Sequence, residues 1–382
     1  MTGLLETVDP DGLLEYSVVY TDRSVNHMSE RFQGAMRDIH RTLTEVYNAH
    51  RAVVVPGSGS FGMEAVARQF CRSKKVLIVR NGWFSYRWSQ ILEVGSLSAQ
   101  HDVVKARPIA QTPQSAYEPI PIDELVDQIK RDQPDVVCAP HVETSAGMLL
   151  PDEYLKSIGD AVRAHGGLFV LDCVASGTAW VDMQSCSVDV LVTAPQKGWS
   201  GSPCAGLVML SEQAHQHLQT TQSDSFAMDL LKWSQIMEAY LKGGHAYHAT
   251  MPTDGLLVFR DVMNEMASHG FDTLKARQFE LGRKVRSLLD DAGFASVAAA
   301  GFEAPGVAVY HTDNDELHSG RAFAAAGLQI AAGVPLQIGE PADFKTFRIG
   351  LFGLDKLTNV DAAVERFSKS FTKVCDALNL AA

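Results

Sequence analysis

The sequence predicts an α/β protein: a mostly parallel central sheet sandwiched by helices, followed by a smaller C-terminal α+β domain. Three observations carry this. The runs "AVVVP", "KVLIVR", "DVVCAP", "GLFVLDC", "VDVLVTA" and "AGLVML" are short, rich in Val and Leu and nearly unbroken by polar residues, as strands buried on both faces of a parallel sheet read. Segments of helical periodicity separate them, and that alternation gives layered α/β architecture. From about residue 293 the character changes, and short strand candidates mix with helices.

Taken in order, residues 1–30 form an N-terminal arm and 31–260 the large domain. Its helix candidates are 62–72, 83–93, 121–132 and 151–165, and 226–242 also reads as helical. Segment 253–290 reads as helix and runs into the small domain, 261–382, whose linking helix falls within 261–292. "GVAVY" and "TFRIG" are strand candidates there. The last helix starts near Thr358 and Asn359, both good N-caps. Val360, Val364, Phe367, Phe371 and Val374 recur at three- and four-residue steps and make one core-facing stripe.

The chain has 382 residues, 46% of them hydrophobic and 20% charged, as in a globular protein with a large core. Its net charge of -12 and lack of a basic run argue against nucleic acid or an anionic membrane as partner. No apolar stretch approaches a membrane span. The opening "MTGLLETVDPDGLLEYS" has no basic and apolar leader pattern, and "NLAA" is no peroxisomal tripeptide, so a cytoplasmic location is expected. The 6 cysteines include no C-x-x-C pair and read as free thiols in a reducing compartment.

"GSGSFG", residues 57–62, follows a strand candidate and opens a helix candidate. It fits G-x-G-x-x-G, the dinucleotide fingerprint. That reading also needs an acid at the end of the next strand. "KVLIVR" ends instead in Arg80-Asn81, which leaves only a 2′-phosphorylated dinucleotide open. The physical content is broader. Glycines permit close backbone approach, and a helix N-terminus offers free N–H groups to an anion. Ser58 and Ser60 add hydroxyls. The loop reads as a phosphate site, or as a tight turn without a ligand.

Further on, "LFVLDC" ends a buried strand in Asp172. "VDVLVTAP" leads to Gln196 and Lys197, followed by the small, polar "GWSGSP". Two strand ends there can lie side by side at the carboxyl edge of a sheet, where open α/β sheets bind ligands. Phosphate loop, Asp and Lys, in that order, are what pyridoxal phosphate (PLP) requires. Lysine bonds the cofactor, and Asp keeps the ring nitrogen protonated. A Walker-type metal Asp would need "GK[ST]" in the loop, which is absent. No metal site is expected.

These motifs resemble fold-type I PLP enzymes of the class V aminotransferase group, from about residue 50 to 375. Among them, the chain is similar to alanine–glyoxylate (serine–pyruvate) aminotransferases and 2-aminoethylphosphonate–pyruvate transaminases. The resemblance implies that Ser58, Gly59 and Ser60 in "PGSGSFGMEA" hold the cofactor phosphate. In "NGWFSYR" the ring-stacking aromatic falls on Phe84, with Trp83 as the alternative. "HVETSAGML" places Ser145 near the ring hydroxyl. "LDCVAS" supplies Asp172, with Val174 under the ring, and "QKGWSGSPC" supplies Gln196 and the cofactor-bearing Lys197. "AYHATMP" implies that Tyr247 and Thr250 reach the phosphate of a neighbouring subunit in a homodimer. "FRIGLFG" puts Arg348 on the substrate α-carboxylate. Two features depart from the pattern. "LEYSVVYTDRSVNHMSERFQG" stands where the family has a "GPGP"-like segment lining the substrate entrance. Phe also replaces the more familiar Trp or Tyr at the stacking position.

The implied activity is transfer of an amino group from a small donor (alanine, serine or similar) to glyoxylate or pyruvate, by ping-pong chemistry. Donation from 2-aminoethylphosphonate is the alternative. A desulfurase-type lyase would need a mobile nucleophilic Cys, but none lies between Cys204 and Cys375, and Gln196 stands where such enzymes carry His. An NADP-dependent oxidoreductase would leave Asp172, Lys197 and Arg348 without a role.

Overall fold

The computed structural model describes residues 8–379. Residues 1–7 of the expected arm and 380–382 of the expected small domain lie outside the described residues.

All six apolar runs form strands of one sheet. Its order is Arg51–Pro56, Ala205–Leu210, Val190–Thr193, Leu168–Asp172, Val136–Pro140, Lys75–Arg80 and Gln100–Lys105. From Val190–Thr193 out to Gln100–Lys105 the neighbours pair in parallel. Ala205–Leu210 is antiparallel to both of its neighbours. The reason lies in the connection. Only residues 194–204 separate it from Val190–Thr193, and a parallel crossover needs a dozen or more residues. That short connection carries Lys197.

The seventh strand, Gln100–Lys105, has no counterpart among the sequence-predicted strands. It sits at the sheet edge, and only Val104 in it is buried, so no continuous apolar run marks it. Two helix boundaries also move. The expected helix 62–72 begins earlier, at Gly59, and ends at Phe70. The helix expected over 226–242 spans Leu230–Leu241, capped by the Asp229 carboxylate on the Lys232 N–H. Segment 253–290 is two helices, Thr253–His269 and Phe271–Asp291, broken at Gly270.

The C-terminal part builds a second sheet in which Val307–His311 and Ala331–Ala332 flank Thr346–Gly350, all antiparallel. Helix Val360–Leu378 packs on helices Phe271–Asp291 and Arg321–Ala325. Asn359 caps that helix at the Ala362 N–H. Its stripe is as expected: Val360, Phe367, Phe371 and Val374 are buried, and Val364 packs half-buried beside them. Phe347, fully buried, meets Phe294 edge-on at 5.1 Å and Phe323 at 5.4 Å. Truncating such a ring costs about 3–5 kcal/mol.

Candidate active site

Register aligns the site. Asp172 ends its strand opposite Pro140 on one side and Val192 on the other. The chain beyond Pro140 reaches Glu143 and Ser145. The chain beyond Val192 reaches Gln196 and Lys197. Functional side chains from three strand ends therefore converge at one carboxyl edge.

The loop bearing Lys197 is held on both sides. Lys197 C=O accepts from Ser200 N–H at 3.0 Å, and Pro195 C=O accepts from Gly201 N–H at 2.9 Å. Trp199, fully buried, plugs into a cluster with Trp180, Phe259 and Phe271 and donates to Tyr47 Oη at 3.2 Å. Ser200 Oγ accepts from Leu354 N–H at 2.7 Å, which ties the loop to the C-terminal part. The Lys197 ammonium lies 5.4 Å from the centre of the Phe352 ring.

Electrostatics at the site follow from burial. Burial pushes the Asp172 carboxyl up to about 6, against a hydrogen bond from Val174 N–H at 2.9 Å and the positive charges of Arg87 and Lys197. Burial also lowers the Lys197 pKa, helped by Arg348 and Arg87 and opposed by Asp172. A lysine so placed gives up its proton more readily than a solvated one.

The glycine-rich loop forms the first turn of helix Gly59–Phe70. Ser58 is its N-cap residue, yet its side chain makes no capping bond to the helix. A Cβ on Gly59 would come within 2.8 Å of Val174 Cγ2, so only glycine lets the helix start this close to the strand ends. Ser60 Oγ accepts from the Arg87 guanidinium at 3.1 Å.

Helix Trp83–Gly95 enters the site with its N-terminus pinned by Glu143. This carboxylate is fully buried and accepts five hydrogen bonds, from Phe84 N–H, Ser85 N–H, Ser85 Oγ, Ser145 N–H and Ser145 Oγ, at 2.7–3.1 Å. Ser145 Oγ also accepts from Trp83 N–H at 2.9 Å. A Cβ on Gly82 would lie 2.1 Å from Ser145 Oγ, which fixes that position as glycine. The Phe84 ring then stands between the two halves of the site, with the Arg87 guanidinium carbon 5.5 Å and that of Arg348 5.6 Å from its centre. Arg348, on strand Thr346–Gly350, also donates from Nε to Ala332 C=O at 2.8 Å.

Ser58, Gly59, Ser60, Phe84, Ser145, Asp172, Val174, Gln196, Lys197 and Arg348 thus lie on elements meeting at one edge. Tyr247 and Thr250 do not join them. They sit on an exposed loop, hydrogen-bonded to each other at 3.2 Å. The Tyr247 ring packs 5.6 Å from His27, and Tyr20 Oη donates to Met251 C=O at 3.2 Å. The atypical N-terminal segment is therefore docked on the loop that carries Tyr247. Three residues of the site had no assigned role in the sequence: Glu143, Arg87 and Phe352. Each falls inside a quoted motif, but nothing in residue order shows that a carboxylate will cap a helix 59 positions away.

The donor set fits a phosphorylated aldehyde cofactor. Helix N–H groups and the uncommitted Ser58 hydroxyl suit a phosphate, Asp172 has lone pairs to spare, and Gln196 Oε1 is buried with no hydrogen-bond partner.

Fold and site together define a fold-type I transferase, with its site at the carboxyl edge of a mostly parallel sheet. The chain belongs to the aminotransferase class-V family, whose model matches residues 12–334. It is 27% identical over 334 residues to a 2-aminoethylphosphonate–pyruvate transaminase of Paraburkholderia phymatum, covering 86% of this chain and 84% of that protein. It is 28% identical over 330 residues to one from Pseudomonas aeruginosa, covering 83% and 80%. The alanine–glyoxylate aminotransferase structure from Nostoc sp. superposes with a TM-score of 0.74 at 20% identity, over 92% of this chain and 89% of that one.

Proposed function

We propose that this class V aminotransferase carries PLP on Lys197 and moves an amino group from a small donor, alanine, serine or similar, to pyruvate or glyoxylate. The observation that carries this is the convergence of a half-buried lysine, a buried carboxylate and a helix N-terminus at one sheet edge. When bound, PLP supplies an electron sink for the substrate α-carbanion. The chain's own residues do the rest. Ser58, Gly59 and Ser60 would hold the phosphate, and Asp172 would meet the ring nitrogen. Phe84 and Val174 would hold the ring, with Ser145 and Gln196 available to its polar groups. Arg348 orients the substrate carboxylate through a two-point fork. The Lys197 amine, its proton affinity lowered by burial, takes and returns the substrate α-proton.

A second reading has its own support, because the curated relatives above are named for 2-aminoethylphosphonate and pyruvate. In that reading the phosphonate replaces the donor carboxylate. A screen of single half-reactions separates the two. Alanine, serine and 2-aminoethylphosphonate are each mixed with the yellow holoenzyme, and loss of its visible band is followed. Borohydride should fix the cofactor on Lys197, and Lys197→Ala should lose about 10²-fold or more in turnover. Fixation on another lysine would sink the assignment.

We also propose a cytoplasmic homodimer that shares its sites. All 6 cysteines are free, which suits a reducing compartment. No helix among the described residues is long and apolar enough to cross a membrane. Tyr247 is 55% exposed, and Phe226, 74% exposed on the loop before helix Leu230–Leu241, packs its ring 4.5 Å from that of His248, a surface suited to a twofold partner. Mixing Lys197→Ala chains with Tyr247→Phe/Thr250→Val chains should restore activity at one site per mixed dimer. No recovery after verified exchange would place Tyr247 and Thr250 outside the partner's site.

A further inference from the structure

We infer that Arg87 is the cationic ligand of the cofactor phosphate, an inference that rests on the PLP reading above. The reasoning starts from charge. The groups assigned to the phosphate so far are backbone N–H groups and hydroxyls, all neutral, with a helix terminus that offers only about half a positive charge. A phosphate monoester carries roughly −1.5 to −2 at neutral pH. A buried anion of that size calls for a cation.

Arg87 is placed to be that cation. It lies three residues after Phe84, so both side chains leave the same face of helix Trp83–Gly95. Among the described residues, its guanidinium makes one hydrogen bond, to Ser60 Oγ at 3.1 Å in the first turn of the phosphate helix, and no ion pair within 4.0 Å. Arg68, on the phosphate helix itself, makes the contrast. It is tied to Glu64 at 2.7 Å and to Asp224 at 2.8 Å, and has no charge to spare. A half-buried arginine without an acid partner retains fork positions for an oxyanion.

The two guanidiniums near the Phe84 ring then divide the work. Arg348 comes from the second sheet, on the side assigned to the substrate carboxylate. Arg87 is bonded to Ser60 at the opposite functional end, the phosphate cradle. Its charge is also felt at both Asp172 and Lys197, so it lies within the site rather than on the outer surface. Glu143 is what keeps it there, by pinning the helix one turn earlier.

The test compares two ligands that differ only in the phosphate. Cofactor-free wild type, Arg87→Gln and Arg87→Lys are titrated with PLP and with pyridoxal, and binding is read by absorbance and by the shift in thermal unfolding. Arg87→Gln should bind PLP about 10- to 100-fold more weakly and pyridoxal as well as wild type does. Arg87→Lys should recover part of the PLP affinity. Inorganic phosphate should compete with pyridoxal phosphate in wild type and much less in Arg87→Gln. Unchanged PLP affinity with a raised KM for the amino donor would overturn the inference and give Arg87 to the substrate. An equal loss for PLP and pyridoxal would also overturn it, since the phosphate would not be what Arg87 reads. A wild-type chain that binds no PLP would bring down the proposed function, and this inference with it.

Discussion

Two carboxylates stand at the same edge of the central sheet, and the fold treats them in opposite ways. Glu143 is fully buried and accepts five hydrogen bonds from the helix start and from Ser145. Asp172 is 8% exposed and, among the described residues, accepts one, from Val174 N–H. An ionised carboxylate has about four lone-pair sites. Glu143 has all of them engaged and acts as a strut for the helix that presents Phe84 and Arg87. Asp172 is left short of partners, and burial pushes its pKa up to about 6. A buried carboxylate with a raised pKa and an oxygen left free toward the site marks a candidate ligand position. The saturated acid holds the helix start in place, and the other keeps an oxygen free for the role proposed for it.

The sharpest way to break this comparison is to remove the strut. Glu143→Leu removes the acceptor of five hydrogen bonds, one of whose donors, the Ser85 hydroxyl, also reaches Gly82 C=O at 3.0 Å, and should cost about 3 kcal/mol or more in folding stability. Denaturant unfolding of the cofactor-free protein would measure it. A loss below about 1 kcal/mol would mean that the donors find other partners and that Glu143 is no strut.

Asp172→Asn should do the reverse. The amide keeps the acceptor for Val174 N–H and removes the cost of a buried charge. A carboxyl moved from 3.8 to about 6 stores roughly 3 kcal/mol against the folded state at pH 7. The cofactor-free variant should therefore be more stable than wild type at pH 7, by up to that amount, and yet have lost most of its transaminase activity, because a neutral amide cannot hold a protonated ring nitrogen. A less stable variant would show that Asp172 is better satisfied than its surroundings indicate.

The same contrast explains what was legible in the sequence. Asp172 and Lys197 end near-continuous apolar runs, and the order of loop, Asp and Lys is a linear signal. Glu143 follows such a run too, but its role depends on a helix that starts far away in sequence, so no local pattern announces it. Arg87 was hidden for the same reason: its partner, Ser60, is 27 positions away. The antiparallel direction of Ala205–Leu210 has no compositional mark, since a strand buried on both faces reads the same either way. Its direction was nonetheless implicit in the short connection before it. The edge strand Gln100–Lys105 carries no such signal, because only Val104 in it is buried and no apolar run forms.

The subtlest effect is a pH dependence that belongs to Asp172 alone. Its folded pKa, about 6, lies above the ordinary 3.8, so the folded state holds the proton more tightly than the unfolded chain. The stability this provides is fully present below about pH 4 and is lost as pH rises through about 6. Near pH 5 roughly half of the 3 kcal/mol has gone, and by pH 7 nearly all of it. Histidines and other acids titrate over the same range, so the wild-type curve alone is not diagnostic. The difference between Asp172→Asn and wild type isolates the one group, provided both are cofactor-free. That difference should move in favour of the variant by roughly 2.4 kcal/mol between pH 4 and pH 7, with its steepest part between the two pKa values. A difference curve for Asp172→Asn that stays flat from pH 4 to 7 would return Asp172 to the ordinary carboxylate range, and the contrast with Glu143 would then rest on hydrogen-bond geometry alone.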